Sequence, residues 1–229
     1  MNKWRILAGA IVASFALSTL IVQGPDWFGA KPPGPAANTP ANPPPWQVTV
    51  NPDGSSQALG FTLGTSTLAD VRQRHGVDVQ IAIVAAPGED GTLEAYVDPA
   101  PAGLIAGKLV VTAALPAEAL RAMRARSPKS QFMGSTTRKY ALTAADEAQA
   151  LNARITSLAF IPQASLDAEV VLARFGKPAE RLRSNAHQEH FLYPAQGMDV
   201  IVDSEGKELI QYVAPRDFAR LRQPLKAAP

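Results

Sequence analysis

The stretch SLDAEVVLARFGKP, Ser165–Pro178, decides how the rest of the chain is read. Ser165 or Asp167 offers a capping oxygen, Val171 and Phe175 fall on one helical face, and Gly176 with Pro178 stops the helix. One hundred residues earlier, TSTLADVRQRHG, Thr65–Gly76, follows the same plan. Thr67 caps with Asp70 three residues on, and Leu68, Val71 and His75 make the apolar stripe before Gly76. Val71, Arg74 and Gly76 recur as Val171, Arg174 and Gly176, Leu68 answers to Ala168, and His75 answers to Phe175. A strand precedes each helix and hairpin material follows it, so the pattern predicts an internal duplication. Each unit is expected to lay a short helix on one face of an antiparallel sheet, giving an α+β fold class.

Outward from the two helices, alternation marks the strands. Gln47–Val50 and the run Leu59, Phe61, Leu63 flank the turn signal Asn51-Pro-Asp-Gly54. Strands are expected at Val79–Val84, Leu93–Val97 and Leu109–Leu115, and after the middle section at Arg154–Ile161, Glu180–Arg183, Glu189–Tyr193, Asp199–Val202 and Leu209–Val213. Pro116–Arg126 reads as a helix opened by proline, Ser127–Gly134 as a loop, Arg138–Leu142 as a strand, and Ala144–Leu151 as a helix capped by Thr143. The boundaries expected are therefore 1–5 for a cytoplasmic tail, 6–22 for a transmembrane signal-anchor, and 23–46 for a Pro-rich linker. They continue as 47–115 for a first α+β unit, 116–151 for a helical insertion, and 152–229 for a second unit.

The N-terminal reading rests on Ile6–Val22, seventeen uncharged residues, near the lower limit for crossing about 30 Å of hydrocarbon. Lys3 and Arg5 precede it and no basic residue follows until Lys31, which places the N-terminus inside and the remainder across an inner membrane, in the periplasm. The alternative is a signal peptide cleaved after the small residues Ala16 and Ser18. Eight of the twenty prolines fall between Pro25 and Pro45, a semi-rigid spacer. Trp27 and Phe28 stand where an interfacial aromatic pair would sit.

Composition excludes several functions. The absence of cysteine removes disulfides, thiolate zinc sites, a thiol nucleophile and lipid attachment through an N-terminal Cys. The pI near 9.0 invites a nucleic-acid reading, but the surplus of two positive charges belongs to Lys3, Arg5 and Lys31 against Asp26. From Trp46 onward acids and bases balance, so the cationic surplus that phosphate binding requires is missing and no nucleic-acid partner is expected.

Arg174-Phe-Gly-Lys-Pro178 at the end of a capped helix, Phe191-Leu-Tyr-Pro194, Met198-Asp-Val-Ile-Val202, Glu205-Gly-Lys207 and Leu209-Ile-Gln-Tyr212 together resemble the SmpA/BamE-like envelope proteins. Their wider superfamily includes the β-lactamase inhibitor protein, with two such units in tandem. The resemblance covers about half of the chain, mostly Ser165–Val213. It implies helices followed by an antiparallel sheet, and action by binding protein partners rather than by catalysis.

No phosphate loop, nucleophile elbow or dinucleotide fingerprint occurs, and Gly60-Phe-Thr-Leu-Gly64 lacks the spacing of one. His187-Gln-Glu-His190 would share a face on a helix, but on a strand residues three apart point to opposite faces. These are therefore read as polar sheet residues, and no metal, cofactor or catalytic residue is expected; a hydrolase using His187, Glu189 or His190 is the enzymatic alternative. His75 reads as a packing histidine. Phe191, Tyr193 and Tyr212 are candidates for a partner-binding face of the second sheet, with core packing as the alternative. Arg121 and Arg124, grouped with Arg126 and Lys129, are candidates for an acidic partner or lipid headgroups, against a solvated helix end. The functional expectation is a membrane-anchored periplasmic protein-binding module, in envelope assembly or maintenance. Its alternative is an inhibitor or ligand-binding protein released by signal cleavage.

Overall fold

A computed structural model describes residues 42–133 and 136–225. The segments 1–5 and 6–22, and the linker as far as residue 41, lie outside the described residues. Among those described, no helix is long and apolar enough to cross a membrane.

The first strands among the described residues form a small antiparallel sheet of β1 (Val48–Val50), β2 (Ser56–Ala58) and β3 (Phe61–Thr62). Helix α1 (Leu68–His75) and helix α4 (Ala168–Phe175) then start and stop at positions one hundred residues apart. The Thr67 amide donates to Asp70 Oδ2 at 2.7 Å, and Asp167 Oδ1 accepts from the Val170 amide at 2.7 Å, so each first turn has a capped donor. Gly76 and Gly176 end the helices at φ of 92° and 81°, a region that a side chain disfavours.

Between and after these helices lie β4 (Gln80–Ala85), β5 (Thr92–Ala102), β6 (Ile105–Ala113), α2 (Ala117–Ala125), β7 (Ser130–Phe132), β8 (Arg138–Ala141), α3 (Ala144–Ala150) and β9 (Ile155–Pro162). After α4 come β10 (Glu180–Arg183), β11 (Gln188–Tyr193), β12 (Met198–Asp203) and β13 (Leu209–Val213), then a 3₁₀ turn, Pro215–Asp217, and the one-turn helix α5 (Ala219–Arg222).

The α+β expectation of two helix-on-sheet units is overturned. Ten strands form one antiparallel sheet in the order β10-β11-β12-β13-β9-β6-β5-β4-β8-β7, and the fold is mostly β. The reason is β9, which pairs with β13 along one edge and with β6 along the other, so no sheet edge separates the halves. One row of side chains, Val97, Leu109, Phe160, Ile210, Val200 and Phe191, crosses six strands in register, and every member is buried. Leu68 and Val71 of α1, Leu120 and Met123 of α2, Ala150 of α3 and Val171 of α4 all pack into the same core as that row. All four helices therefore cover one face.

Topology also relates the two meanders that follow the matched helices, β4-β5-β6 after α1 and β10-β11-β12 after α4. Each is continued in the sheet by one more antiparallel strand, β9 after β6 and β13 after β12, and β9 and β13 pair with each other. With both helices on one face, a half-turn about an axis through the β9–β13 pair carries β4, β5, β6 and β9 onto β10, β11, β12 and β13. The matched helices therefore open two strand runs of the same order within one continuous sheet. The segment 116–151 is part of that sheet, since β8 pairs with β4 and β7 extends the sheet beyond it.

The end of the Pro-rich segment belongs to the fold. Tyr212 Oη donates to the Pro45 carbonyl at 2.8 Å and the Gly103 amide donates to the Asn42 carbonyl at 2.9 Å. Trp46 meets Phe175 edge-on, with ring centroids 6.1 Å apart, and carries the Arg174 guanidinium over its face.

Candidate functional site

The aromatic candidates lie on the helix-bearing face. Phe191, Tyr193 and Tyr212 are 0%, 3% and 1% exposed, so they take the core alternative and present no surface to a partner. Their hydroxyls are used internally, Tyr193 Oη donating to the Gly176 carbonyl at 2.9 Å and Tyr212 Oη to Pro45. The basic candidates are tied to neighbouring elements instead of forming one free patch. Arg121 pairs with Asp90 at 2.6 Å, and Arg124 stacks 4.8 Å from the Tyr140 ring centroid while donating to the Glu89 and Asp90 carbonyls. Arg126 pairs with Asp146 at 2.5 Å, and this hydrogen bond holds the Asp146 carboxyl below its usual range. Lys129 is exposed and makes no ion pair among the described residues.

The histidines do not converge on one ion. His187 stands in the turn before β11 and His190 within the strand, and each has its own carboxylate on β12. His187 Nδ1 lies 2.9 Å from Asp203 Oδ1, and His190 Nδ1 lies 2.8 Å from Asp199 Oδ2. No group of metal-binding side chains occurs among the described residues. Glu189 alternates to the other face and pairs with Arg181 at 2.9 Å. Burial raises the Asp199 carboxyl above its usual range, and the contact with His190 pulls it back. Ser184 Oγ lies 3.1 Å from His190 Nε2, which completes a chain of three side chains from the β10–β11 turn through β11 to β12. His75 packs 6.0 Å from the Phe61 ring centroid, and burial, then Arg74, push its imidazole down to about 4.

At the other end of the sheet, β7 is the outermost strand and all three of its residues are exposed. Phe132 is 65% exposed and is stacked by Arg138 at 3.9 Å. Gln131 of the same strand lines a cleft of about 320 Å³, with Ile81 and Leu142 as apolar walls and Gln80, Lys129 and Lys139 as further polar ones. Lys139 Nζ donates to Gln80 Oε1 at 2.8 Å and stands 4.5 Å over the Tyr96 ring; burial lowers its ammonium, and Glu94 counters that. Glu94 lies under this corner, 1% exposed, accepting hydrogen bonds from Thr92 at 2.7 Å and from Tyr96. Burial pushes its carboxyl up to about 7, against the two hydrogen bonds and Lys139. Glu147 ends the cleft and is held by Arg72 of α1.

By contrast, the outermost strand at the opposite end, β10, is guarded by charge. Arg222 grips Glu180 through two bonds of 2.8 Å, and Arg181 covers Glu189. The β7 edge escaped sequence reading because three residues with one apolar side chain have no period to detect. The acids Asp199 and Asp203 could have been found by folding β11 onto β12, since the register places Leu192 opposite Asp199 and Gln188 opposite Asp203.

Comparison of the chain with known protein families, with curated proteins and with solved structures finds no match.

Proposed function

We propose that this chain is a membrane-anchored module of the bacterial cell envelope that binds a protein partner, and that the partner lies along β7 as an added strand. The observation that carries this reading is the outermost strand Ser130–Phe132, exposed at all three residues, with Phe132 uncovered and Gln131 lining a cleft. An exposed edge offers main-chain hydrogen bonds to an extended segment, and alternate side chains of that segment reach the neighbouring surface. Lys129 and Lys139 line the cleft on one side of this edge and Arg138 stacks on Phe132 on the other, so both faces flanking the edge carry positive charge and the segment that fits is acidic. The likeness of Ser165–Val213 to SmpA/BamE-like proteins, which bind other proteins, and the apolar run Ile6–Val22 before a proline spacer support the same class and location.

Selection of displayed random peptides against the full chain in detergent tests it. Enrichment of extended peptides rich in Asp and Glu is expected, weakened about tenfold or more by Phe132→Ala or Lys129→Glu and by added salt. Both substitutions are at exposed positions and leave the melting temperature unchanged. No enrichment, or enrichment indifferent to both substitutions, refutes the reading.

A further inference from the structure

The corner of the sheet farthest from β7 carries a second, independent feature. Asp199 on β12, His190 on β11 and Ser184 just after β10 form one hydrogen-bonded line, 2.8 Å and 3.1 Å in its two links. When Nδ1 carries the proton and donates it to the carboxylate, Nε2 is left as the base toward the serine hydroxyl, the sense that activation of a hydroxyl demands. Ser184 Oγ has one longer contact besides, 3.5 Å to Gln188 Oε1. Asp199 and His190 are 0% and 1% exposed, whereas Ser184 is half-buried in the turn that leads to β11. The Asp199 Oδ1 atom is buried with no hydrogen-bond partner among the described residues, so the carboxylate's one strong contact is the imidazole.

The turn itself is rigidly held. Asn185 Oδ1 accepts from the His187 and Gln188 amides at 3.0 and 2.8 Å, and Asp203 accepts from Gln188 Nε2 at 2.7 Å while facing His187. The amides of Asn185 and Ala186, directly after the serine, bond to none of the described residues. The residue after a nucleophilic serine is where a donor for a developing oxyanion is commonly found.

We infer that Ser184, His190 and Asp199 form an acyl-transfer site for short carboxylic esters. Ser184 Oγ bonds to the ester carbonyl carbon as its proton passes to His190 Nε2. The carbon–oxygen bond to the alcohol then breaks, and His190 returns the proton to that alcohol. A water attacks the acyl-serine in the same way, releasing the acid and restoring the hydroxyl. A short acyl group is specified because Leu182 and Leu192, beside the relay, already pack against Phe218, Leu221 and Leu225.

The test uses the full chain in detergent with a fluorophosphonate probe and with p-nitrophenyl acetate. A single adduct on Ser184 and measurable ester turnover are expected. Ser184→Ala removes both while leaving the far-ultraviolet spectrum and the melting temperature nearly unchanged. Asp199→Asn slows labelling about a hundredfold or more in protein that remains folded. If the line of bonds only tethers the turn, these substitutions alter thermal stability and nothing else. The inference is overturned by no adduct on the folded chain, by an adduct that survives Ser184→Ala, or by an unchanged labelling rate in folded Asp199→Asn protein.

Discussion

Replacing Glu94 with glutamine should make the protein more stable at alkaline pH and slightly less stable in acid. Glu94 is 1% exposed on the sheet face opposite the helices, and burial raises its carboxyl from 4.5 to about 7. Below pH 4.5 the carboxyl is protonated in both the folded and the unfolded chain, and folding carries no penalty from it. Between 4.5 and about 7 the unfolded chain releases the proton first, so stability falls by about 1.4 kcal/mol per pH unit. Above about 7 both states are ionised and the loss levels off near ~3 kcal/mol. Glutamine is neutral throughout and keeps one acceptor for Thr92 or Tyr96, at a cost of ~1 kcal/mol for the other bond. The net expectation is a gain of about 2 kcal/mol at pH 8.5 and a loss of about 1 kcal/mol at pH 4. The gain corresponds to a rise of roughly 4–8 °C in melting temperature for a domain of this size. Urea midpoints of both proteins, followed by circular dichroism in half-unit steps from pH 4 to 8.5, measure the difference curve directly. Taking the difference removes the titration of every other group. A difference that is flat, or that grows toward acid, refutes the assignment of a buried, proton-holding carboxyl to Glu94.

Two further outcomes follow from single residues. His75 is held neutral, with its pKa lowered to about 4, so the folded state resists a proton that the unfolded chain accepts below about 6.5. Stability should therefore fall as pH drops through that window, by about 2 kcal/mol after allowing for partial exposure, and His75→Phe should flatten the acid limb of the urea-midpoint curve. Gly197 has φ of 69°, and a Cβ placed there would stand 2.0 Å from the Val213 carbonyl oxygen. Gly197→Ala should cost about 4 kcal/mol or more because backbone must move, whereas Gly176→Ala, with nothing within 4 Å, should cost only the conformational strain of its backbone, about 1–3 kcal/mol; thermal melts of the pair distinguish the two.

The local signals in the chain were strong. Asp70 and Asp167 at the helix starts and Gly76 and Gly176 at the ends define α1 and α4 in the sequence where the structure has them. Runs of apolar and β-branched residues located the cores of β4, β6, β9, β11, β12 and β13, although β12 and β13 are buried on both faces. Two elements were not legible. β5 runs on to Ala102, through a bulge after Val97 where Asp98-Pro99 interrupts the alternation, and β7 is too short to show any.

What sequence alone determined here is therefore the type and position of most elements, since capping, glycine conformation and facial alternation act within a few residues. Only tertiary structure decided which strands are neighbours. Nothing in Ile155–Pro162 says that both its edges are occupied, yet that one strand merges two expected sheets into ten strands by pairing with β6 on one side and β13 on the other. The same holds for both candidate sites. Whether Phe132 is covered depends on what lies beyond β7, and whether His190 meets Asp199 depends on a hairpin register. Hydrogen-bond partners across a sheet are chosen by the packing of the whole face, where burial of one continuous apolar row outweighs any local preference.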